Sequence, residues 1–349
     1  MPLSATQPPH TDPTLVFEAF RGNHATELLT AAVAHLKLFA HLADNGLPFD
    51  PLRDRLGLAE RPANVLFTAL RAMGLLHRDQ AGRLHPTPIA REHLAPGGPF
   101  DVSDYLGLAA NSPGVLEVVE RLRTNRPAGA QPGGAGAAFI YRDGIESAME
   151  SETSARRLTL ALAGRARNVA PVLAAKLPLD GARALLDVGG GTGIYSIALL
   201  QRHPNLRATV FDRAEVLKVA AEMAESYGVA DRIDLVPGDM FTGDLPRGAD
   251  VVLLSNVLHD WDVPECQALV DRCAAALSPG GRVVIHDVFL DDDLGGPLPI
   301  ALYSASLFGL TEGRAYSGQE YRDLLQRAGL TPAATVPTLI HCGLLAGRK

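Results

Sequence analysis

Apolar residues recur at helical spacing from Leu15 to about Leu42, with Val16, Phe20, Leu28, Leu29, Ala32, Val33, Leu36 and Leu38 among them. That period predicts amphipathic helices with one buried face. Shorter helical patterns follow over Leu52–Leu58 and Ala63–Met73. After Gly74, LLHRDQAGRLHPT reads as two short strands around a Gln80-Ala81-Gly82 turn. Helix, turn, helix and hairpin in that order predict a winged helix. The Gly-, Ala- and Pro-rich stretch 127–138 reads as a surface loop that can act as a lid, and a helical pattern resumes over 145–175. From Arg183 onward strands and helices alternate. Strands are predicted at Ala184–Val188, Ala208–Phe211, Ile233–Val236, Asp250–Leu254 and Arg282–Asp287, with helices at Ile194–Arg202, Ala214–Tyr227 and Pro264–Leu277. A helix at Gly318–Ala328 and strands at Pro332–Val336 and Thr338–Ala346 close the chain. Such alternation predicts an α/β, Rossmann-like doubly wound sheet behind a mainly helical N-terminal domain.

These patterns divide the 349 residues into a mobile tail (1–13), a winged-helix domain (14–105), a helical linker segment (106–180) and an α/β domain (181–349). A hydrophobic fraction of 47% supplies a large core and excludes global disorder. A winged helix invites a DNA-binding reading, including a regulatory protein that merely senses a small ligand. Charge argues against it. Residues 1–100 carry nine Lys or Arg and nine Asp or Glu, and the chain has a net charge of −7, where a nucleic-acid module concentrates basic residues on one face. Packing or dimerisation is the better reading of that domain. No apolar run approaches the ~20 residues that span a bilayer, and no export leader is evident, so a cytoplasmic protein without a membrane partner is expected. Cys266, Cys273 and Cys342 lack C-x-x-C spacing and read as buried free thiols rather than a structural zinc cluster.

The most informative stretch is LLDVGGGTG, with Gly189, Gly190, Gly191 and Gly193 between a hydrophobic strand and a helix. Glycines there let a backbone approach a ligand closely. The dinucleotide fingerprint G-x-G-x-x-G fails because Ile194 stands at its last glycine. The P-loop fingerprint fails for want of Gly-Lys-Ser or Gly-Lys-Thr. Asp212 ends the second strand of this half, where a carboxylate can accept both hydroxyls of a ribose. Asp239 and Met240 follow the third strand in VPGDMF, placed to accept an adenine amino hydrogen and to cover the ring. Individually they read as a helix cap, a turn residue and a core residue; three at successive strand ends are harder to dismiss.

LDVGGGTG, VFD, GDMF, NVLHDW and LSPGGRVVI occur together in this order. In these motifs the chain resembles the two-domain S-adenosylmethionine-dependent small-molecule methyltransferases of plants and bacteria, from Val16 to the C-terminus. The resemblance implies a seven-stranded methyltransferase sheet, a homodimer built on the winged helix, a small-molecule substrate and S-adenosyl-L-methionine as donor. Gly189 and Gly191 would line its methionine part, Asp212 the ribose, and Asp239 and Met240 the adenine. Ser255, ending the fourth strand, and Trp261 would lie nearby.

In the O-methylating members the NVLHDW histidine is a general base toward a phenol, which is His259 here, and imidazole suits that work. The family's usual Glu at the end of the fifth strand is Asp287 in this chain, and its second Glu aligns with Ala315. His286 precedes Asp287, and His341 opens the last strand pattern, at the same rim in the family's sheet. His259, His286 and His341 are therefore expected to converge on a divalent metal such as zinc or iron, with Asp260 or Asp287 as a fourth ligand, an orienter or a base. A Lewis-acid metal would stabilise an enolate. The leading expectation is thus methylation of the carbon beside the keto group of a metal-chelated 2-oxo acid, with Arg314 and Tyr316 holding its carboxylate. The alternative is phenol O-methylation with His259 as base and Asp287 orienting it.

Overall fold

The computed structural model describes residues 2–42, 46–127, 140, 152–179 and 181–349, in two units. Residues 128–138 of the expected loop, and 145–151 of the helical pattern after it, lie outside the described residues.

Glu18–Ser147 and Leu290–Ala315 form the helical unit. Its helices Phe49–Leu56 and Glu60–Ala72 are separated at Gly57, whose φ of 65° ends the first helix in the left-handed conformation that glycine adopts without a Cβ clash. Strands β1 (Leu76–Arg78) and β2 (Leu84–Pro86) pair antiparallel. Asp79 closes their turn, its carboxylate accepting from the Ala81 and Arg83 amides at 2.9 Å each. The winged-helix order is therefore present.

Its core joins Leu52, Leu66, Leu70, Leu84 and Leu122 to Leu302, Ala305 and Phe308. Those last three lie on a helix, Leu298–Leu310, that the sequence patterns do not predict, in a span assigned above to the α/β domain. The reason is composition. LPIALYSASLFGL carries its few polar residues on no single face, so it has no amphipathic period, and most of the helix is buried. Arg61 ties this segment down. Its buried guanidinium donates to the Thr311 carbonyl at 2.9 Å, the Gly313 carbonyl at 3.2 Å and Asn125 Oδ1 at 2.8 Å, and it lies over the Phe308 ring, 4.8 Å from its centroid.

Met1–Phe17, Ala148–Phe289 and Tyr316–Lys349 form the sheet unit. Strands β3 (Ala184–Val188), β4 (Arg207–Asp212), β5 (Ile233–Pro237), β6 (Ala249–Ser255) and β7 (Leu277–Leu290) are parallel. Short β8 (Tyr316–Ser317) and β9 (Thr331–Pro332) flank the main path, and β10 (Val336–Pro337) and β11 (Cys342–Arg348) complete it in the order β10-β11-β7-β6-β3-β4-β5. Seven of the sheet's nine strands lie on this path, in accord with the seven-stranded doubly wound sheet that the resemblance implies, and β11 runs antiparallel to β7. Strand order reverses between β3 and β6, and sheets of this kind bind ligands at the carboxyl ends of the strands beside such a reversal.

The tail expected over 1–13 is anchored at its start. The Leu3 amide donates to the Ser226 carbonyl at 3.0 Å. Gln201 receives the Ala5 amide on Oε1 at 2.7 Å and donates from Nε2 to the Leu3 carbonyl at 2.8 Å. The partner is a glutamine two hundred residues away, which tail composition cannot reveal. Among the described residues no helix is long and apolar enough to cross a membrane.

Candidate active site

The glycine loop follows β3 directly. Gly189, Gly191 and Gly193 have φ of 67°, 59° and 69°, conformations that L side chains rarely adopt. The Gly189 amide donates to the Phe211 carbonyl at 2.8 Å and the Gly193 amide to the Gly190 carbonyl at 2.9 Å. A Cβ on Gly190 would lie 2.8 Å from Asp187 Cγ and from Val210 Cγ1, whereas one on Gly191 would meet nothing within 4 Å. The loop is packed beneath Gly190 and open above Gly191.

Asp212, at the end of β4, accepts the Gly191 amide on Oδ2 at 2.8 Å and the Arg213 amide on Oδ1 at 2.7 Å. Each carboxylate oxygen carries two lone pairs, so each keeps one for a ligand hydroxyl. Burial raises its pKa against those amide bonds, and an added donor would offset that cost. Asp239 caps its own turn, Oδ1 accepting from the Phe241 amide at 2.8 Å and the Thr242 amide at 3.0 Å. Met240 Sδ comes within 3.8 Å of the position a Gly189 Cβ would take. Trp261 packs edge-on to Phe241, ring centroids 4.7 Å apart. The residues read as donor-binding thus collect along the ends of β3, β4 and β5 and the segment after β6. Ser255 differs: its hydroxyl is engaged with His286 Nδ1 at 2.8 Å and Asn256 Nδ2 at 3.1 Å.

Beyond β6, His259 and Asp260 sit in a short 3-10 turn, Leu258–Asp260. His259 Nδ1 and Asp287 Oδ1 are 2.5 Å apart, with the imidazole and the carboxylate both buried. Asp260 Oδ1 is 3.5 Å from Nε2, an ion-pair separation too long for a good hydrogen bond. Burial by itself would lower the His259 pKa, but Asp287 and Asp260 outweigh it and raise the value above 6.5. Asp287, buried yet facing His259, is held below the ordinary carboxylate range. Burial pushes Asp260 up to about 7, against the pull of His259.

The three histidines do not converge. Successive side chains on a strand point to opposite faces, so Asp287 facing His259 turns its neighbour His286 away. His286 Nδ1 instead meets Ser255, its Nε2 lies 3.3 Å from Thr338 Oγ1, and its ring packs edge-on to Tyr195. Burial, aided by the Arg165 charge, pushes His286 down to about 3 and keeps it neutral. Pairing of Cys342 with Val288 places His341 opposite Phe289, three residues and so about 10 Å along β7 from His286. Among the described residues no group of three or more His, Cys, Asp or Glu is arranged to hold a metal. The metal expectation for His259, His286 and His341 is corrected: strand alternation and register separate them.

The two expected substrate anchors also differ. Arg314 is buried and donates from Nη1 to the Ala315 carbonyl at 3.0 Å. Tyr316 is buried and donates from its hydroxyl to the Trp261 carbonyl at 2.6 Å, which braces the NVLHDW segment. Arg165 was not found from the sequence. From the helix Glu152–Lys176 it places its positive charge near His259, Asp260, Asp287 and His286, and its Nη2 lies 3.1 Å from Cys342 Sγ. No local motif marks it, because its neighbours in the fold are more than ninety residues distant.

A family model described as an O-methyltransferase domain matches residues 136–331. A 3-hydroxy-5-methyl-1-naphthoate 3-O-methyltransferase of Streptomyces sahachiroi is 37% identical over 335 residues, 95% of this chain and 94% of that one. A tetracenomycin polyketide synthesis 8-O-methyl transferase of Streptomyces glaucescens is 32% identical, covering 95% of this chain and 94% of its own. Among solved structures, an O-methyltransferase family 2 protein of Planctomyces limnophilus in complex with apigenin is 49% identical over 99% of both chains, with a TM-score of 0.89. These matches overturn the expectation of carbon methylation on a 2-oxo acid, because the matched family model describes an O-methyltransferase domain and both Streptomyces relatives are named for transfer to oxygen. The open glycine loop, the carboxylate at the end of β4 and the full-length likeness to oxygen-methylating relatives agree: this chain belongs to the O-methyltransferase domain family and is an S-adenosylmethionine-dependent methyltransferase.

Proposed function

We propose that the protein methylates a phenolic hydroxyl of a small aromatic molecule, with His259 as general base. The single observation that carries the reading is the buried His259–Asp287 contact of 2.5 Å at the rim where β6 and β7 end. Bound S-adenosylmethionine supplies an electrophilic methyl on a sulfonium. The chain's own groups do the rest. Asp287 accepts from Nδ1, which fixes the imidazole tautomer and leaves Nε2 as the atom that takes the phenol proton. The phenolate oxygen then bonds to the methyl carbon as the carbon–sulfur bond breaks, and sulfur keeps that electron pair. Asp260, 3.5 Å from Nε2, stabilises the imidazolium so formed.

For the donor, the reading uses Gly189 and Gly191 against the methionine part, Asp212 for the ribose, Asp239 and Met240 for the adenine, and Trp261 beside it. Replacing Asp212 with alanine removes a charged acceptor and also releases the Gly191 amide. Hydrogen bonds to charged groups contribute about 1.5–3 kcal/mol, so S-adenosylhomocysteine binding measured by calorimetry is expected to weaken by roughly tenfold or more.

The direct test offers S-adenosylmethionine with apigenin, the molecule in complex with the Planctomyces protein, and, separately, 3-hydroxy-5-methyl-1-naphthoate, named in the Streptomyces sahachiroi enzyme. Mass spectrometry of the products should show methyl on oxygen. Methyl found only on carbon would reject the reading.

The reading includes a homodimer. On the helix Thr14–Arg21, Leu15, Val16 and Phe20 are 76%, 70% and 77% exposed, and a row of large apolar residues in water suits a second copy. Phe20→Glu is expected to shift the sedimentation coefficient from dimer toward monomer; a wild-type chain that sediments as a monomer would remove the dimer from the proposal. Cys266, Cys273 and Cys342, buried and outside any disulfide, suit a reducing compartment such as the cytoplasm.

A further inference from the structure

Asp287 uses Oδ1 toward His259 Nδ1 and toward the Val288 amide. Its other oxygen, Oδ2, is buried without a hydrogen-bond partner, and so is the hydroxyl of Tyr321. Tyr321 lies on the helix Gly318–Arg327. Its ring packs edge-on to Phe289, centroids 5.3 Å apart, and against Tyr316 at 5.6 Å. Phe289 is two residues beyond Asp287 and so on the same face of β7, while Tyr316 is fixed by its bond to the Trp261 carbonyl. Tyr321 therefore packs on the face of β7 that carries Asp287, close enough for the Asp287 charge to act on its hydroxyl.

We propose that Tyr321 is a positioning residue for the His259–Asp287 pair, its hydroxyl donating to Asp287 Oδ2 so that Oδ1 stays on His259 Nδ1. The proposal rests on His259 being the base. A buried donor and a buried acceptor left apart are each costly, and one hydrogen bond between them relieves both. Catalytic hydrogen bonds are often long in the empty enzyme and shorten once substrate binds. Burial and the neighbouring Asp287 push the Tyr321 pKa well above the ordinary tyrosine value, so the group stays an O–H donor. The titratable groups around the pair are Asp260 and Arg165, facing His259 and Asp287, and Cys266 and Tyr316, facing Tyr321.

The test is Tyr321→Phe in the full-length chain, which deletes one oxygen and keeps the ring contacts. The His259 imidazole is followed by nitrogen-15 NMR titration, its resonances identified by their loss in His259→Gln. Removing a hydrogen bond from the carboxylate anion leaves the pair holding its proton more tightly, so the midpoint should rise by about one pH unit. With Asp287→Asn already present, adding Tyr321→Phe should leave it unmoved. A midpoint unchanged by Tyr321→Phe alone, or an equal shift in both backgrounds, overturns the proposal. Full methyl transfer by His259→Gln would sink the base assignment instead, and the titration still judges the Tyr321 contact separately.

Discussion

Replacing His259 with alanine is expected to lower methyl transfer by about 10²–10⁴-fold, the usual contribution of a positioned general base, while S-adenosylhomocysteine binding stays near wild type. The separation matters because the loop and Asp212 that are read as donor-binding lie on β3 and β4, whereas His259 follows β6. Rate should also depend on pH in a definite direction. The base works only when unprotonated, and the His259 pKa is raised above 6.5 because Asp287 and Asp260 outweigh burial, so activity should climb with pH through that raised value and then level off. Asp287→Asn removes the larger of the two opposing charges. Burial then prevails, and the midpoint of the rising limb should fall even as the maximal rate drops, since the imidazole loses its orienting partner. A limb that stays in place in Asp287→Asn would show that another group sets it.

The second large effect is on stability. Arg61→Ala should destabilise the helical unit by about 3 kcal/mol, because it strips several hydrogen bonds from buried carbonyls and leaves those acceptors without a donor. The Thr311 and Gly313 carbonyls and Asn125 all lose their partner, and Phe308 loses the guanidinium over its ring. Arg61→Lys keeps the charge but not the planar fork, so it should recover only part of the loss. Chemical denaturation followed by circular dichroism measures both. Midpoints of Arg61→Ala and wild type that coincide would mean that the segment 290–315 is held by its apolar packing alone.

Much of the sheet is legible in the chain because its cause is local. A hydrophobic run such as ALLDV, followed by glycines and a helical pattern, specifies strand, tight turn and helix within ten residues, and repetition of that unit fixes a parallel order. Asp212, Asp239 and Met240 were found the same way, as strand-end residues. The helix Leu298–Leu310 escapes the pattern because a segment this apolar has no face to detect. Arg165 and Tyr321 were missed because what they touch is remote in the chain. The three-histidine site failed for a more instructive reason: adjacency of His286 to Asp287 looked like proximity to one centre, but on a strand adjacent side chains diverge.

The sequence alone determined the alternation of strands and helices from β3 to β7, the glycine loop, the row of strand-end residues beside it and the kind of donor that the motifs imply, since each depends on backbone conformation and spacing within short stretches. The tertiary structure decided which carboxylate faces His259, that His286 and His341 stand apart from it, and that Leu290–Ala315 belongs with the helical unit. Those outcomes depend on strand register, on which face each side chain takes and on what distant segments bury together, and none of these has a local signature.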